Sequence, residues 1–197
     1  MRVVIATQNR HKVRELRAYL CKIKNFDVFS LLDFSSYQSP QETGATFEEN
    51  AIYKAAHAAR SLNIWALADD SGLVVPAIGG APGVFSARFA GPQATDKENR
   101  KKLLQTMQGL DGLERSAYFT CVLALARPDG QIQYCVTGSC EGLIAHEEKG
   151  REGFGYDSVF VKHGYHQTFG ELDESVKNRI SHRAKALSKM LLYLESS

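Results

Sequence analysis

The chain opens with an unbroken apolar run, then residues at helical spacing, then a second apolar run. Residues 2–7 ("RVVIAT") are typical of a fully buried strand, and residues 26–32 ("FDVFSLL") are typical of the next one. The intervening residues predict a helix with Asn9 as its N-cap and one apolar face, formed by Val13, Leu16, Leu20 and Ile23. A β-α-β opening of this kind predicts an α/β fold.

The alternation of helices and strands continues along the chain. Thr46 and Glu49 have capping-box spacing and start a helix whose apolar face consists of Phe47, Ala51, Ala55, Ala58 and Leu62. The later predicted elements are strands at 64–69 and 72–76, a helix from the capping box of Thr95 and Glu98 to about Met107, a long β-hairpin over 117–144, a strand at 158–161 and a helix capped by Ser181, with Leu187, Met190, Leu191 and Leu194 facing inward. These elements predict a mixed sheet flanked by helices and leave room for two lobes, one of which carries the hairpin. Because there is no repeat or linker, we expect a single domain over residues 1–197.

The composition is that of a globular protein that can bury a core. Hydrophobic residues make up 44% of the 197, and the formal net charge of +2 gives no field for tracking a nucleic-acid polymer. No apolar run is long enough to span a membrane, and the first residues are too polar for a signal peptide. The four cysteines lack zinc-type spacing and lie mostly in apolar runs, which predicts reduced core thiols in a cytoplasmic protein; they are Cys21, Cys121, Cys135 and Cys140.

The junction of the first strand with the first helix, "TQNRHK" (residues 7–12), is a candidate anion site. A strand that runs into a helix start presents free backbone N–H groups and the positive end of the helix dipole. Arg10, His11 and Lys12 oppose that dipole unless a bound anion, such as a triphosphate, compensates. A solvated turn with snorkelling basic side chains is the alternative, and spacing alone does not decide between the two.

Five carboxylates stand near the ends of predicted elements, at Glu42, Glu48, Glu49, Asp69 and Asp70. Carboxylates that converge from separate elements suit Mg²⁺, which keeps waters and bridges phosphates. Helix capping explains Glu49 fully, and an Asx-type turn before Gly72 would explain one aspartate well but two adjacent ones poorly. The aspartate pair therefore favours a functional role, since burying ionised carboxylates is costly without a compensating cation or donors.

Lys54 and Asn50 lie one turn apart at the edge of the apolar face of the second predicted helix. That position could aim the Lys54 ammonium into a cleft beside the core. A peripheral snorkelling lysine is the simpler interpretation of this residue taken alone.

Two motifs near the C-terminus combine aromatic or basic side chains with a turn. In "EGFGYDSVF", Phe154 lies between two glycines and Tyr156 follows the second, which predicts either a stacking platform for a base or a strand-entry turn with core aromatics. In "KNRISHR", the N-cap Ser181 places His182 and Arg183 in the first turn of a helix, where their donors would suit a carbonyl oxygen or a phosphate. A surface-exposed His-Arg pair is the alternative.

These segments, in this order and spacing, resemble the inosine triphosphate pyrophosphatase family. The resemblance covers nearly the whole chain and rests on "TQNRHK", "ETGATFEENAIYKA", "ADDSGLVV", "GGAPGVFSARFAG", "GFGYDSVF" and "ISHR". Any one segment is weak, whereas all six in order are highly specific. One difference is that His11 stands where many members have glycine or another small residue.

The resemblance implies an activity and a fold. Members hydrolyse ITP, dITP and XTP to the nucleoside monophosphate and pyrophosphate with Mg²⁺, which cleanses the nucleotide pool. The family fold is an elongated mixed sheet in two lobes with the active-site cleft between them, usually in a homodimer. Two other classes stay open, namely a catalytically silent nucleotide-binding module and a phosphatase of the same broad fold that acts on modified pyrimidine nucleotides.

The resemblance also implies roles for the matching residues. Glu42 and Asp70 would bind Mg²⁺, and Asp70 would also be the base for the attacking water. Lys12 and Lys54 would join Asp70 in catalysis. The implied substrate-binding residues are Thr7, Gln8, Asn9, Arg10, His11 and Lys12 for the phosphates, Ser71 and Lys177 elsewhere on the nucleotide, Phe154, Gly155, Tyr156 and Asp157 for the purine and sugar, and His182 and Arg183 for the base.

Overall fold

A computed structural model describes residues 1–24 and 26–196. The strands in those residues are β1 (Arg2–Ile5), β2 (Asp27–Ser30), β3 (Trp65–Val74), β4 (Ser116–Ala126), β5 (Ile132–Ile144) and β6 (Phe160–Lys162). The helices are α1 (Arg10–Leu20), α2 (Phe47–Leu62), α3 (Asp96–Thr106), α4 (Glu174–Ile180) and α5 (His182–Ser196). The strands form one sheet in the order β2-β1-β3-β4-β5-β6. β1 is parallel to β2 and β3, whereas β5 and β6 are antiparallel, which confirms the predicted mixed sheet of an α/β fold.

The chain divides into two compact units. The first unit consists of Met1–Asp70, Cys121–Gly138 and Lys185–Ser197, and the second consists of Ser71–Thr120 and Ser139–Ala184. The boundary therefore falls within β3, β4 and β5, each of which contributes residues to both units. Over residues 1–24 and 26–196, no helix is long and apolar enough to cross a membrane.

In the first unit, apolar side chains cover both faces of the sheet. Successive strand residues point to opposite faces, so odd-numbered and even-numbered positions of β1 and β3 enter different clusters. Ile5 and Leu67 pack with Leu16 of α1 and Met190 of α5. The opposite face packs small side chains against α2, and its buried residues include Val4, Ala6, Ala66, Ala68, Ala51, Ala55, Ala58 and Ala59. The centres of the helical faces predicted from spacing are buried here, whereas the residues at their ends are partly buried, namely Ile23, Phe47, Leu62, Leu191 and Leu194.

The prediction of two strands around an Asp-Asp-Ser-Gly break is wrong, because β3 runs without interruption from Trp65 to Val74. Asp69 and Asp70 lie in extended backbone, so the Asx-type turn proposed for them is excluded, and Ser71 and Gly72 continue the strand. The strand stays extended through the two acids because each carboxylate has cationic or polar partners on its own face of the sheet, as described below.

Several element ends differ from their predicted positions. β2 ends at Ser30, because the Ser30 backbone N–H donates to the Asp33 carboxylate (2.7 Å) and closes a 3₁₀ turn over Leu31–Asp33. Residues Asp157–Val159 form another 3₁₀ turn, so the last strand begins at Phe160. Helix α4 has no counterpart among the predictions. Among the cysteines, the core prediction is wrong for Cys21, which is exposed, whereas Cys121 and Cys140 are buried thiols that form no disulfide.

Arg115 ties the second unit together through backbone carbonyls. Only 5% of the residue is exposed, and its guanidinium donates to the carbonyls of Ile144 (2.7 Å) and Ala145 (2.7 Å) at the end of β5. The same group donates to the carbonyls of Met107 and Leu110 (both 3.2 Å), which follow α3. One buried cation thus satisfies carbonyls from two separate segments.

We expect Arg115→Met to lower the free energy of unfolding by about 3 kcal/mol or more, because it leaves four carbonyls without their donor. Urea unfolding followed by circular dichroism measures this change. Arg151→Met, at an exposed position, is the control and should stay within about 0.5 kcal/mol of the wild type. A loss for Arg115→Met below about 1 kcal/mol would contradict the structural role of the guanidinium.

Candidate functional site

The two adjacent aspartates of β3 serve different faces of the sheet. Asp69 is fully buried on the face covered by α1, and its carboxylate contacts Lys12 Nζ at 2.5 Å. The Cys121 thiol of β4 donates to the other carboxylate oxygen at 3.2 Å. Both oxygens of Asp69 are therefore engaged within the protein, an arrangement suited to fixing the position of Lys12.

Asp70 lies on the opposite face, which α2 covers, and Lys54 of that helix reaches three acceptors at once. Its ammonium donates to Asp70 Oδ1 at 2.7 Å, to Glu42 Oε1 at 2.9 Å and to the main-chain oxygen of Asp69 at 2.9 Å. Three acceptors match the three donors of an ammonium group. The interpretation of Lys54 as a peripheral snorkelling side chain is thus wrong, since only 13% of the side chain is exposed.

Asn50, one turn before Lys54, connects Asp70 to the loop ahead of α2. Its amide nitrogen donates to Asp70 Oδ2 at 3.2 Å, and its amide oxygen accepts from the Gly44 backbone N–H at 2.9 Å. A Cβ on Gly44 would lie 2.6 Å from that oxygen, so the contact requires glycine. No role for Asn50 is predicted from the sequence; an amide among the alanines of the apolar helix face is the signal that could have indicated one.

The charges of this cluster perturb each other. Burial alone would lower the pKa of the Lys54 ammonium, but the nearby carboxylates of Asp70 and Glu42 outweigh burial and raise it. The pKa of the Asp70 carboxyl is raised, chiefly by burial, although Lys54 and Lys12 act in the opposite direction. Groups that accept protons in active sites are commonly buried and commonly have a perturbed pKa, as Asp70 does.

Glu42 and Asp70 have the chemistry of a site for Mg²⁺. Two carboxylate oxygens from separate elements converge on one point, which the Lys54 ammonium occupies. Mg²⁺ is commonly bound by one or two carboxylates, with waters and substrate phosphates completing its shell. Within the described ranges, no group of three or more His, Cys, Asp or Glu side chains is arranged to hold a metal. The pair thus fits an ion that also takes ligands from a phosphate.

A cavity of about 220 Å³ in the first unit joins this cluster to the turn before α1. Thr7, Gln8 and Asn9 line it, together with Glu42 and Lys54 and with Tyr37, which the sequence analysis missed. Arg10 lines a different cavity, along the outer side of α1, and His11 is exposed.

The expectation of free N–H groups at the start of α1 is wrong at two positions. The Asn9 side chain caps the helix and accepts from the backbone N–H groups of His11 (2.9 Å) and Lys12 (3.1 Å). The Asn9 N–H itself donates to Thr7 Oγ1 at 3.2 Å. The cap therefore uses donors that the sequence analysis assigned to an anion.

A second group of predicted residues lies in the second unit, around the turn at residues 153–157. Lys177 of α4 pairs with Asp157 at 2.7 Å, and both side chains are at most 5% exposed. The same Asp157 oxygen accepts from the Phe154 backbone N–H at 2.8 Å, so one carboxylate holds the turn and the lysine together. A Cβ on Gly153 would collide with this carboxylate, which explains the glycine there.

The Phe154 ring lies against two cations. Lys177 Nζ is 4.7 Å from the ring centroid, and the Arg183 guanidinium carbon is 5.7 Å from it. Arg183 also donates to Ser71 Oγ at 2.8 Å. His182 stacks on Phe119, with ring centroids 4.7 Å apart. His182 and Arg183 are 4% and 3% exposed, so the alternative of a surface-exposed pair is wrong.

Tyr156 differs from Phe154 in its surroundings. Its side chain is buried in the core of the second unit, and its hydroxyl donates to the Ser86 carbonyl at 2.8 Å. The interpretation of core aromatics at a strand-entry turn therefore fits the Tyr156 side chain, while the Phe154 side chain is only half-buried.

Comparison with known proteins identifies the family. The sequence model described as the Ham1 family matches residues 3–193. The chain belongs to the Ham1 family. This membership confirms the resemblance stated from the sequence.

Relatives of this chain and solved structures match it over essentially its full length. A protein named dITP/XTP pyrophosphatase from Chlamydia abortus is 53% identical over 99% of this chain and 95% of its own length. A protein of the same name from Protochlamydia amoebophila is 53% identical over 100% of this chain and 98% of its own. The structure of a HAM1 protein from Coxiella burnetii, 41% identical, superimposes with a TM-score of 0.91 and full coverage of both chains.

We expect Lys54→Met to destabilise the protein in a pH-dependent way. Burial already raises the pKa of the Asp70 carboxyl, and without the ammonium that pKa rises further above its unfolded value, so stability is lost as the pH rises and Asp70 ionises. The deficit relative to the wild type should grow from small near about pH 4 to about 3 kcal/mol near about pH 7.5.

Urea unfolding in metal-free buffer at both pH values measures the effect of Lys54→Met. Lys101→Met, at an exposed position of α3, is the control and should show no such trend. A deficit that does not change with pH would mean that Lys54 contributes packing rather than charge compensation.

Proposed function

We propose that this chain hydrolyses non-standard purine nucleoside triphosphates, namely dITP, ITP and XTP, to the nucleoside monophosphate and pyrophosphate. Membership of the Ham1 family and relatives named dITP/XTP pyrophosphatase support the reaction. The observation that carries the proposal is the buried Asp70 carboxylate, which pairs with Lys54. Lys54 and Glu42 line a cavity together with Thr7 and Asn9. In a cell, the activity would keep deaminated purines out of DNA and RNA.

In this mechanism Asp70 orients the attacking water and accepts its proton. Its raised pKa suits a base, because a carboxylate of ordinary pKa takes up a proton less readily near neutral pH. Asn50 and Lys54 fix the two carboxylate oxygens and so set the direction in which the base faces. Lys12 carries a positive charge toward the leaving pyrophosphate while Asp69 holds it in place.

The residues Glu42 and Asp70 would hold a magnesium ion, which supplies neutralisation of the charge that develops on the phosphates. The family resemblance also supports a homodimer, a cytoplasmic location, a single domain over residues 1–197 and no role for nucleic-acid polymers or membranes. Pyrophosphate release with and without Mg²⁺ tests the metal requirement, and light scattering of the purified protein tests the assembly.

Base selection would depend on the group around Phe154. The ring offers a face for stacking, and the neighbouring cations strengthen its attraction for an electron-rich 6-oxo purine. His182 and Arg183 supply donors that suit the 6-oxo group of hypoxanthine or xanthine. The 6-amino group of adenine would meet donors with donors, and leaving buried polar groups unpaired discriminates strongly between substrates.

We expect Asp70→Asn to lower kcat for dITP by about 10³-fold while leaving nucleotide binding largely intact, because the amide cannot accept the proton of water. A pyrophosphate-release assay gives kcat, and calorimetry gives the dissociation constant. Asp129→Asn, in the turn of the hairpin, is the control and should keep full activity. Substantial hydrolysis by Asp70→Asn would remove Asp70 from the central role, and a wild type that binds dITP without releasing pyrophosphate would favour a silent binding module.

We expect Arg183→Ala to reduce kcat/KM for ITP by about 10-fold to 100-fold, the value of a lost charged hydrogen bond, and to change kcat/KM for ATP much less. The same assay with both nucleotides measures the ratio. Arg179→Ala, at an exposed position of α4, is the matched control. Equal losses for ITP and ATP would mean that Arg183 contacts phosphate or maintains structure instead.

A further inference from the structure

Two side chains at the start of α3 hold both backbone groups of Gly155. The Asp96 carboxylate accepts from the Gly155 N–H at 2.7 Å, and the Arg100 guanidinium donates to the Gly155 carbonyl at 2.8 Å. Asp96 and Arg100 are one helical turn apart, so they project from the same side of the helix. Helix α3 thus holds the backbone N–H and carbonyl of Gly155 through two of its side chains.

Gly155 lies at the centre of the turn at residues 153–157 and has a backbone conformation that favours glycine. Its φ of 60° lies in the left-handed region, and it belongs to neither a strand nor a helix. Without α3, its N–H and carbonyl would face water, and the turn would be free to adopt other conformations. The neighbours of Gly155 are Phe154 and Tyr156, whose directions depend on its backbone.

The helix that supplies the grip is itself fixed at its start. Thr95 and Glu98 form a capping box, in which the Thr95 N–H donates to the Glu98 carboxylate at 2.7 Å and the Glu98 N–H donates to Thr95 Oγ1 at 3.3 Å. Arg100 has a second anchor, because it also donates to Glu148 at 2.7 Å. Glu148 in turn accepts from Ser158 Oγ (3.3 Å), just beyond the turn.

We propose that Asp96 and Arg100 are positioning residues for recognition of the purine base. They hold Gly155 so that the ring of Phe154 and the carboxylate of Asp157 are in place before the nucleotide arrives. Neither Asp96 nor Arg100 is among the residues to which the family resemblance gives a substrate contact. This inference rests on the proposed function of the chain. A pre-formed loop avoids the entropy cost of ordering on binding, so its loss should raise KM more than it lowers kcat.

The first test compares steady-state kinetics with dITP. Asp96→Ala should raise KM about tenfold with kcat changed less than about twofold, the size expected for one charge-assisted hydrogen bond. Asp96→Asn keeps an acceptor oxygen and should restore KM to within about threefold of the wild type. Arg100→Ala should raise KM at least as much as Asp96→Ala, because it loses both the Gly155 and the Glu148 contacts.

Glu98→Ala is the matched control, because it removes an acidic side chain from the same helical turn and weakens the cap without touching Gly155. It should lower the melting temperature as much as Asp96→Ala but leave KM unchanged. An equal rise in KM for Glu98→Ala would overturn the inference, since general weakening of α3 would then explain the result. An unchanged KM for both Asp96→Ala and Arg100→Ala would overturn it as well.

Hydrogen exchange of the backbone amides of residues 154–157 tests the grip without any substrate. Asp96→Ala should speed their exchange, and Glu98→Ala should not. If the wild type releases no pyrophosphate from any purine triphosphate, the proposed function and the nucleotide role of this turn are both wrong, whereas faster exchange would still show that α3 holds it. Unchanged exchange in an active Asp96→Ala enzyme would reject the positioning role while leaving the proposed function intact.

Discussion

Neighbouring side chains of an extended strand point to opposite faces of the sheet. The two buried aspartates of β3 are adjacent, so their carboxylates lie on opposite faces. No single cation can serve both carboxylates, so each face of the sheet must supply its own. α1 supplies Lys12 to Asp69, and α2 supplies Lys54 to Asp70. An uncompensated buried carboxylate costs several kcal/mol. The strand can therefore bury both aspartates only because α1 and α2 are placed where their lysines reach them.

The opposite sides of this strand perform different tasks. The Asp69 side chain is fully buried and pairs with Lys12 and the Cys121 thiol on the α1 face, so it behaves as a support. Asp70 shares its cation with Glu42, and burial raises its pKa, so it has the properties of a reacting group. Adjacent residues of one type thus acquire different chemistry from their surroundings alone, in the manner of paired carboxylates in other active sites.

The sequence predicted elements whose signals are local and missed contacts made over long separations. The caps at Asn9, Thr46 and Thr95 and the hairpin turn are read from a few neighbouring residues, and all appear at their predicted places. The sequence predicts two strands in place of β3 because aspartates are rare in strands. The lysines that stabilise these aspartates come from distant segments, which no local pattern reveals. The burial of His182 depends likewise on Phe119, which no local pattern connects to it. For the candidate site, sequence spacing indicates which charged residues are candidates. It does not indicate that Lys54 pairs with both Asp70 and Glu42, or that Asn50 donates to Asp70.

The face of α2 that meets the sheet is built mainly from alanines, and the part of the sheet that it covers consists mainly of alanines and valines. Small side chains permit close approach of a helix to a sheet, and Lys54 lies beside Ala55 on that helix. The reach of the Lys54 ammonium to Asp70 is therefore set by the thickness of an apolar layer that contains no charge. A single added methyl group in that layer would lengthen an ion pair that it never touches, so packing volume controls the electrostatics of the cluster from outside it.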